Sequence, residues 1–162
     1  MKLGSAVAAV VAVVGLSAEA QTVSVTALDQ TGAQTVLQAA KEGAQQRNAP
    51  SAIAVVDPAG DLLAFERMDG VRPASAELAI QKARTAARLR RPTVEIEDNI
   101  DHGRIAFVTA EILALRGGVP VHANGAVVGA VGVAGLSKET DTEIANAAAA
   151  VLTSSANTLP HE

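Results

Sequence analysis

The chain has 162 residues, 49% of them hydrophobic and 19% charged, with a formal net charge of −4 and no cysteine. Disulfides, thiolate metal sites, iron–sulfur clusters and a cysteine nucleophile are thereby excluded, and the aliphatic content excludes disorder and collagen-like repeats. Phe65 and Phe107 are the only aromatic residues, so an acidic chain without stacking platforms is expected to have no nucleic-acid partner.

Lys2 is followed by an apolar run at residues 6–16, and Ala18-Glu19-Ala20 places small residues around a cleavage point before Gln21. This pattern predicts a secretory signal peptide over residues 1–20. The run is too short for a transmembrane helix, which takes about 20 apolar residues. The expectation is a periplasmic or secreted protein with no membrane contact after cleavage.

Residues 21–154 then form one domain, with a flexible tail at 155–162. Residues 22–27 alternate and read as extended. Thr31 with Gln34 resembles a capping box, and Ala33, Val36, Leu37, Ala40 and Ala44 follow a helical period that ends near Arg47. Residues 51–56 and 62–68 read as an antiparallel hairpin around Asp57-Pro58-Ala59-Gly60. A helix is expected from Ser75 to Arg91, stopped by Pro92, and a short one capped by Thr93. Residues 104–116 read as helical. Residues 119–123 and 126–134 form a hairpin around Asn124-Gly125, the preferred type I′ pair. Thr140 with Glu143 caps a last helix. This order predicts an α+β sandwich, an antiparallel sheet flanked by helices, with a profilin-like or PAS-like layout.

Several residues invite a chemical reading. Glu77, Arg84, Arg88 and Arg91 share one side of their helix. The basic members suit oxyanions, or pair with Glu95, Glu97, Asp98 and Asp101. His102 lies in an acidic loop, His122 in a strand and His161 in the tail, with no zinc-type spacing. Met68 is an alternative soft ligand. Asp57 and Asp61 read as turn residues, with Asp57 also a candidate general base. Gly129, Gly132 and Gly135 suggest close packing between strands or subunits.

Six phrases in order carry a family resemblance: Ile53-Ala-Val-Val-Asp57, Gly60-Asp-Leu-Leu-Ala64, Arg67-Met-Asp-Gly70, Lys82-Ala-Arg-Thr-Ala86, Gly117-Gly-Val-Pro-Val121 and Val128-Gly-Ala-Val-Gly-Val133. Together, over roughly Thr26 to Leu152, they resemble the GlcG/HbpS-type heme-binding family, also found as the C-terminal domain of PduO-type corrinoid adenosyltransferases. The resemblance implies a compact sandwich, homo-oligomers and, in some members, heme binding and export. Heme-binding members take an axial ligand from a His in the first helix or from a Thr. The first helix here has no His, and the second strand of the last hairpin ends Val133-Ala-Gly-Leu-Ser137 where relatives carry Ser-Gly-Gly.

The resulting expectation is an exported heme-binding protein for scavenging, buffering or sensing. Arg67, Lys82 and Arg84 are the expected cations for propionates or another carboxylate, His102 the expected iron ligand and His122 the second choice. One alternative is a cofactor-free enzyme for a small hydroxy- or oxo-acid, using Asp57, Arg67 and Lys82. Another is a structural domain that binds a partner protein.

Overall fold

The computed structural model describes residues 23–110 and 112–156. The expected leader at residues 1–20 lies outside them, as do residues 157–162 of the expected tail. Among the described residues no helix is long and apolar enough to cross a membrane.

Two hairpins lie side by side in one antiparallel sheet. Strands β1 (Ala52–Val56) and β2 (Leu62–Arg67) form the first, and β3 (Gly118–Ala123) and β4 (Ala126–Ala134) the second; the strand order is β2-β1-β4-β3. The first turn is tied by the Asp57 carboxylate, which accepts from the amides of Ala59 and Asp61 at 2.8 and 2.9 Å. Asp57 is thus engaged as a turn residue. In the second turn Asn124 and Gly125 both have positive φ, 50° and 77°, as a type I′ turn requires.

The central strands separate large from small side chains. β1 and β4 pair from Ala52 opposite Ala134 to Val56 opposite Ala130, and alternate residues face opposite sides. Ile53, Val55, Val131 and Val133 point to one side, where they are fully buried. Helices α1 (Gln30–Gln46) and α4 (Lys138–Ala149) cover that side, and α5 (Val151–Ala156) follows α4. Each such Val or Ile contributes about 1.5–3 kcal/mol by leaving water.

Apart from Val56, the other side presents small residues, Ala52, Ala54, Ala130 and Ala134, against Ala79, Ala83, Ala86 and Ala87 of α2 (Ala74–Leu89). Small residues let the helix backbone approach the sheet closely. Gly132 stands directly beneath it: a Cβ there would collide with the Ala79 carbonyl and the Ala83 amide. The spaced glycines of β4 therefore serve packing inside the chain.

Several local expectations are corrected. The cap of α1 is Asp29, whose carboxylate accepts from the Gly32 amide at 2.7 Å. The cap of α4 is Ser137, which accepts from the Thr140 amide. Helix α2 stops at Leu89, because Arg90 turns left-handed with φ 53°. In α3 (Thr93–Asp101), Thr93 stands in the first turn and turns its buried hydroxyl to Gly118, accepting from that amide at 2.9 Å.

Residues 23–27 form no strand, although the Leu28 amide donates to the Val128 carbonyl. Among its described residues, the segment expected as a helix over 104–116 makes only a short 3-10 turn at Ile105–Thr109. That turn buries none of its residues, and Ile105 and Val108 are 70% and 65% exposed. Without burial, a short segment does not repay helix nucleation.

Candidate functional site

At the end of the sheet where β1 starts and β4 finishes, a cavity of about 160 Å³ opens to solvent. Its floor is an ion pair. The Lys82 ammonium, on α2, donates to the Asp141 carboxylate at 3.0 Å and to the Val133 carbonyl at 2.8 Å. The other oxygen of Asp141, on α4, accepts from the Gly135 amide at 2.8 Å. Burial pushes the Asp141 carboxyl above the ordinary aspartate value, against the opposing pull of Lys82 and the Gly135 amide.

These two helices lie on opposite sides of the sheet, and their side chains meet around its end. Glycines make the passage. Gly117 has φ 110°, and a Cβ on it would press on the Val133 carbonyl, the Lys82 ammonium and the Asp141 side chain. A Cβ on Gly135 would crowd Ser51 and Asp141.

Further charges ring the opening. Arg116 bonds to Glu97 through Nε and to Asp98 through Nη2, the latter at 2.9 Å. Lys138 approaches Glu97 at 3.4 Å. Burial pushes the Glu97 carboxyl up, but Arg116 and Lys138 outweigh it and hold the group below the ordinary glutamate value. Arg72 donates to the neutral Gly135 carbonyl at 3.0 Å. Leu78, Leu115 and Leu136 supply apolar walls.

Of the expected cations, only Lys82 lines this cavity. Arg84 is two residues along α2, on its opposite flank, and donates to the Gly60 carbonyl at 3.1 Å, while Arg88 holds the Ala59 carbonyl at 2.9 Å. The two arginines clasp the turn of the first hairpin. Arg67 is exposed at the end of edge strand β2, on the same face as the partly exposed Phe65. The acids Glu97 and Asp98 pair with Arg116 and not with the arginines of α2.

His102 is exposed just past α3, and its Nδ1 lies 2.6 Å from the Asp98 carbonyl. A carbonyl oxygen only accepts, so Nδ1 is the donor of this bond and Nε2 is the ring nitrogen left for another partner. His122 is exposed on edge strand β3, where a register irregularity follows Val121. Met68 accepts from the Ser51 amide through sulfur and packs on the core. Among the described residues no group of three His, Asp or Glu side chains is placed to hold a metal. His161 lies outside them.

Arg72, Arg116, Lys138 and Asp141 are not marked by any local motif. One signal did exist: Asp141 falls on the apolar stripe of its helix with Ile144, Ala145 and Ala148, a position where a charge needs a buried partner.

Residues 28–150 match the family model for HbpS-like proteins, described as haem-degrading. Protein GlcG of Escherichia coli K12 is 48% identical over 107 residues, covering 65% of this chain and 80% of its own. The crystal structure of HbpS superposes with a TM-score of 0.75 at 37% identity, over 82% of this chain and 94% of that one. A crystal structure of a PduOC:heme complex gives a TM-score of 0.69 at 30% identity, over 77% and 94% of the two chains.

Proposed function

The chain belongs to the HbpS-like family, and from that premise we propose that it binds heme on an exposed apolar surface beside His102. The observation that carries the reading is the His102 ring. Its Nδ1–H is taken by the Asp98 carbonyl, which is how protein-bound metals usually find their imidazole ligands oriented. Nε2 is left as the iron donor.

Ile105 and Val108 follow immediately and are largely exposed. The guanidinium of Arg104 lies 5.1 Å from the centre of the Phe107 ring. The segment thus offers an imidazole, aliphatic surface, one aromatic ring and a cation for a propionate.

The fit is to a surface and not to an enclosed pocket. The cavity at the sheet end, about 160 Å³, is smaller than the roughly 300–1,000 Å³ of typical ligand pockets, and the larger hollows along α1, about 460 and 370 Å³, are open grooves. A porphyrin therefore lies against the outside of one subunit, and a second subunit covering it completes the site. Homo-oligomers are part of the proposal for that reason. A second seat is favoured by the shared face of Phe65 and Arg67, with Arg67 as the propionate partner. Lys82 is spent on Asp141 in either case. In the cell, the proposal is an exported protein, processed before Gln21, that scavenges, buffers or senses heme.

Hemin titration of the purified chain, followed by absorbance with serum albumin as the control, tests the reading. A saturable Soret shift at one heme per subunit or per dimer is expected. His102→Ala should displace or abolish it, and His122→Ala should not. Absence of a saturable shift overturns heme binding. A shift unchanged in His102→Ala but lost in Arg67→Gln moves heme to the second seat. The mass of secreted protein, expected to begin at Gln21, tests export.

A further inference from the structure

We propose that the cleft over the Lys82–Asp141 pair is a separate binding site for a short-chain aliphatic carboxylate. Size sets the class first. A cavity of about 160 Å³ holds about five waters at liquid density, which matches a small acid and excludes a tetrapyrrole.

Charge sets the polarity. Four cations and two carboxylates line the cleft, in a chain whose overall charge is −4. Lys82 is matched by Asp141, and Arg116 by Glu97 with Asp98. With Asp98 counted, four cations face three carboxylates, so one positive charge remains in excess, and Glu139 stands near enough to Arg116 and Lys138 to offset part of it. Among the described residues the side chain of Arg72 hydrogen-bonds only to a neutral carbonyl, that of Gly135; its charge also acts on Asp141, but most of its guanidinium fork is left for a ligand. Lys138 reaches Glu97 only at 3.4 Å, on a carboxylate that Arg116 already engages. An arginine fork and an ammonium lining the same cleft suit one carboxylate.

The walls set the rest of the ligand. Leu115 and Leu136 stand at the opening and are 42% and 80% exposed. A bare oxyanion leaves both leucines in water. A carboxylate with a short hydrocarbon chain satisfies the cations and covers the leucines together. Glu97 and Asp141, on the floor and side, repel a second negative charge near them, so a monocarboxylate is preferred to a dicarboxylate.

The test is a titration of the full purified chain with sodium butanoate, followed by backbone amide shifts. Butanamide, succinate and inorganic phosphate are the comparators. Butanoate is expected to shift the amides of Arg72, Arg116, Gly135 and Leu136 saturably, and at least tenfold more tightly than any comparator. Arg72→Gln and Lys138→Gln should each weaken butanoate about tenfold, the scale of one charge-assisted hydrogen bond. Leu136→Glu should weaken it further. All three positions are exposed, so the variants keep the fold. His102→Ala should bind butanoate as the parent does, which separates this site from the heme surface. Butanamide or phosphate binding as tightly as butanoate overturns the proposal. So does an affinity unchanged in Arg72→Gln and Lys138→Gln, or the absence of saturable shifts.

Discussion

The ammonium of Lys82 stands 3.0 Å from the carboxylate of Asp141, with their side chains only 5% and 7% exposed. The pair joins α2 to α4 around the end of the sheet. Lone buried charges are far costlier than paired ones, because attraction offsets desolvation only while both partners are present.

A double-mutant cycle on this pair should be strongly non-additive. Lys82→Met leaves Asp141 without its cation and is expected to cost about 3–5 kcal/mol in urea unfolding. Adding Asp141→Asn removes the orphaned charge and should recover part of the loss. Costs that simply add would show that the two groups act independently.

The two cleft carboxylates should respond to pH in opposite senses. Glu97 is held below its ordinary value of 4.5 in the folded chain. Its contribution to stability is complete above that value and is lost as pH falls towards the depressed folded value. Asp141 is raised above its ordinary 3.8, so the folded state holds that proton more tightly and stability falls as pH rises through the window above 3.8. Unfolding measured from pH 3 to 7 should therefore give Glu97→Gln a flatter acid limb than the parent. Asp141→Asn should lose the opposing slope.

Two glycines of the second hairpin should behave very differently on replacement by alanine. At Gly125 the new Cβ meets nothing within 4 Å, and only the positive φ of 77° is strained, so about 1–2 kcal/mol is expected. At Gly132 the Cβ meets backbone of α2 that has no room to yield. Overpacking there should cost about 3 kcal/mol or more. Thermal unfolding of the two variants distinguishes them.

The apolar turn after α3 should matter to heme and not to folding. Ile105 and Val108 are exposed, so Ile105→Asp and Val108→Asp should change stability by less than about 0.5 kcal/mol. Each should weaken hemin in the same titration that reports on His102. Equal hemin affinity in both variants would remove this surface from the heme site.

The hairpins were legible because turn chemistry is local: Asn124-Gly125 and Asp57 declare themselves within four residues. Helix caps were less so. Asp29 and Ser137 cap where Thr31 and Thr140 were expected, since several good capping residues stand within one turn and only the docked helix selects among them. The helix expected over 104–116 failed for lack of a face to bury, which no propensity reveals. The cleft was hidden for a different reason. Lys82 and Asp141 are 59 residues apart, Arg72 and Arg116 come from two separate connections, and Lys138 comes from the first turn of α4. A stripe was visible where Arg84 and Arg88 lie, but its neighbours are the carbonyls of the first turn. Distance in sequence conceals such a site until the sheet end brings the pieces together.

The passage made by Gly117 and Gly135 also has a mechanical side. Two helical layers separated by a sheet would ordinarily shear past it independently. Here a side chain from each reaches through the gap and grips the other, so the end of the sheet works as a buckle. Force applied to α4 is handed to α2 without crossing the strands. Whatever settles beside that buckle is felt by both layers at once.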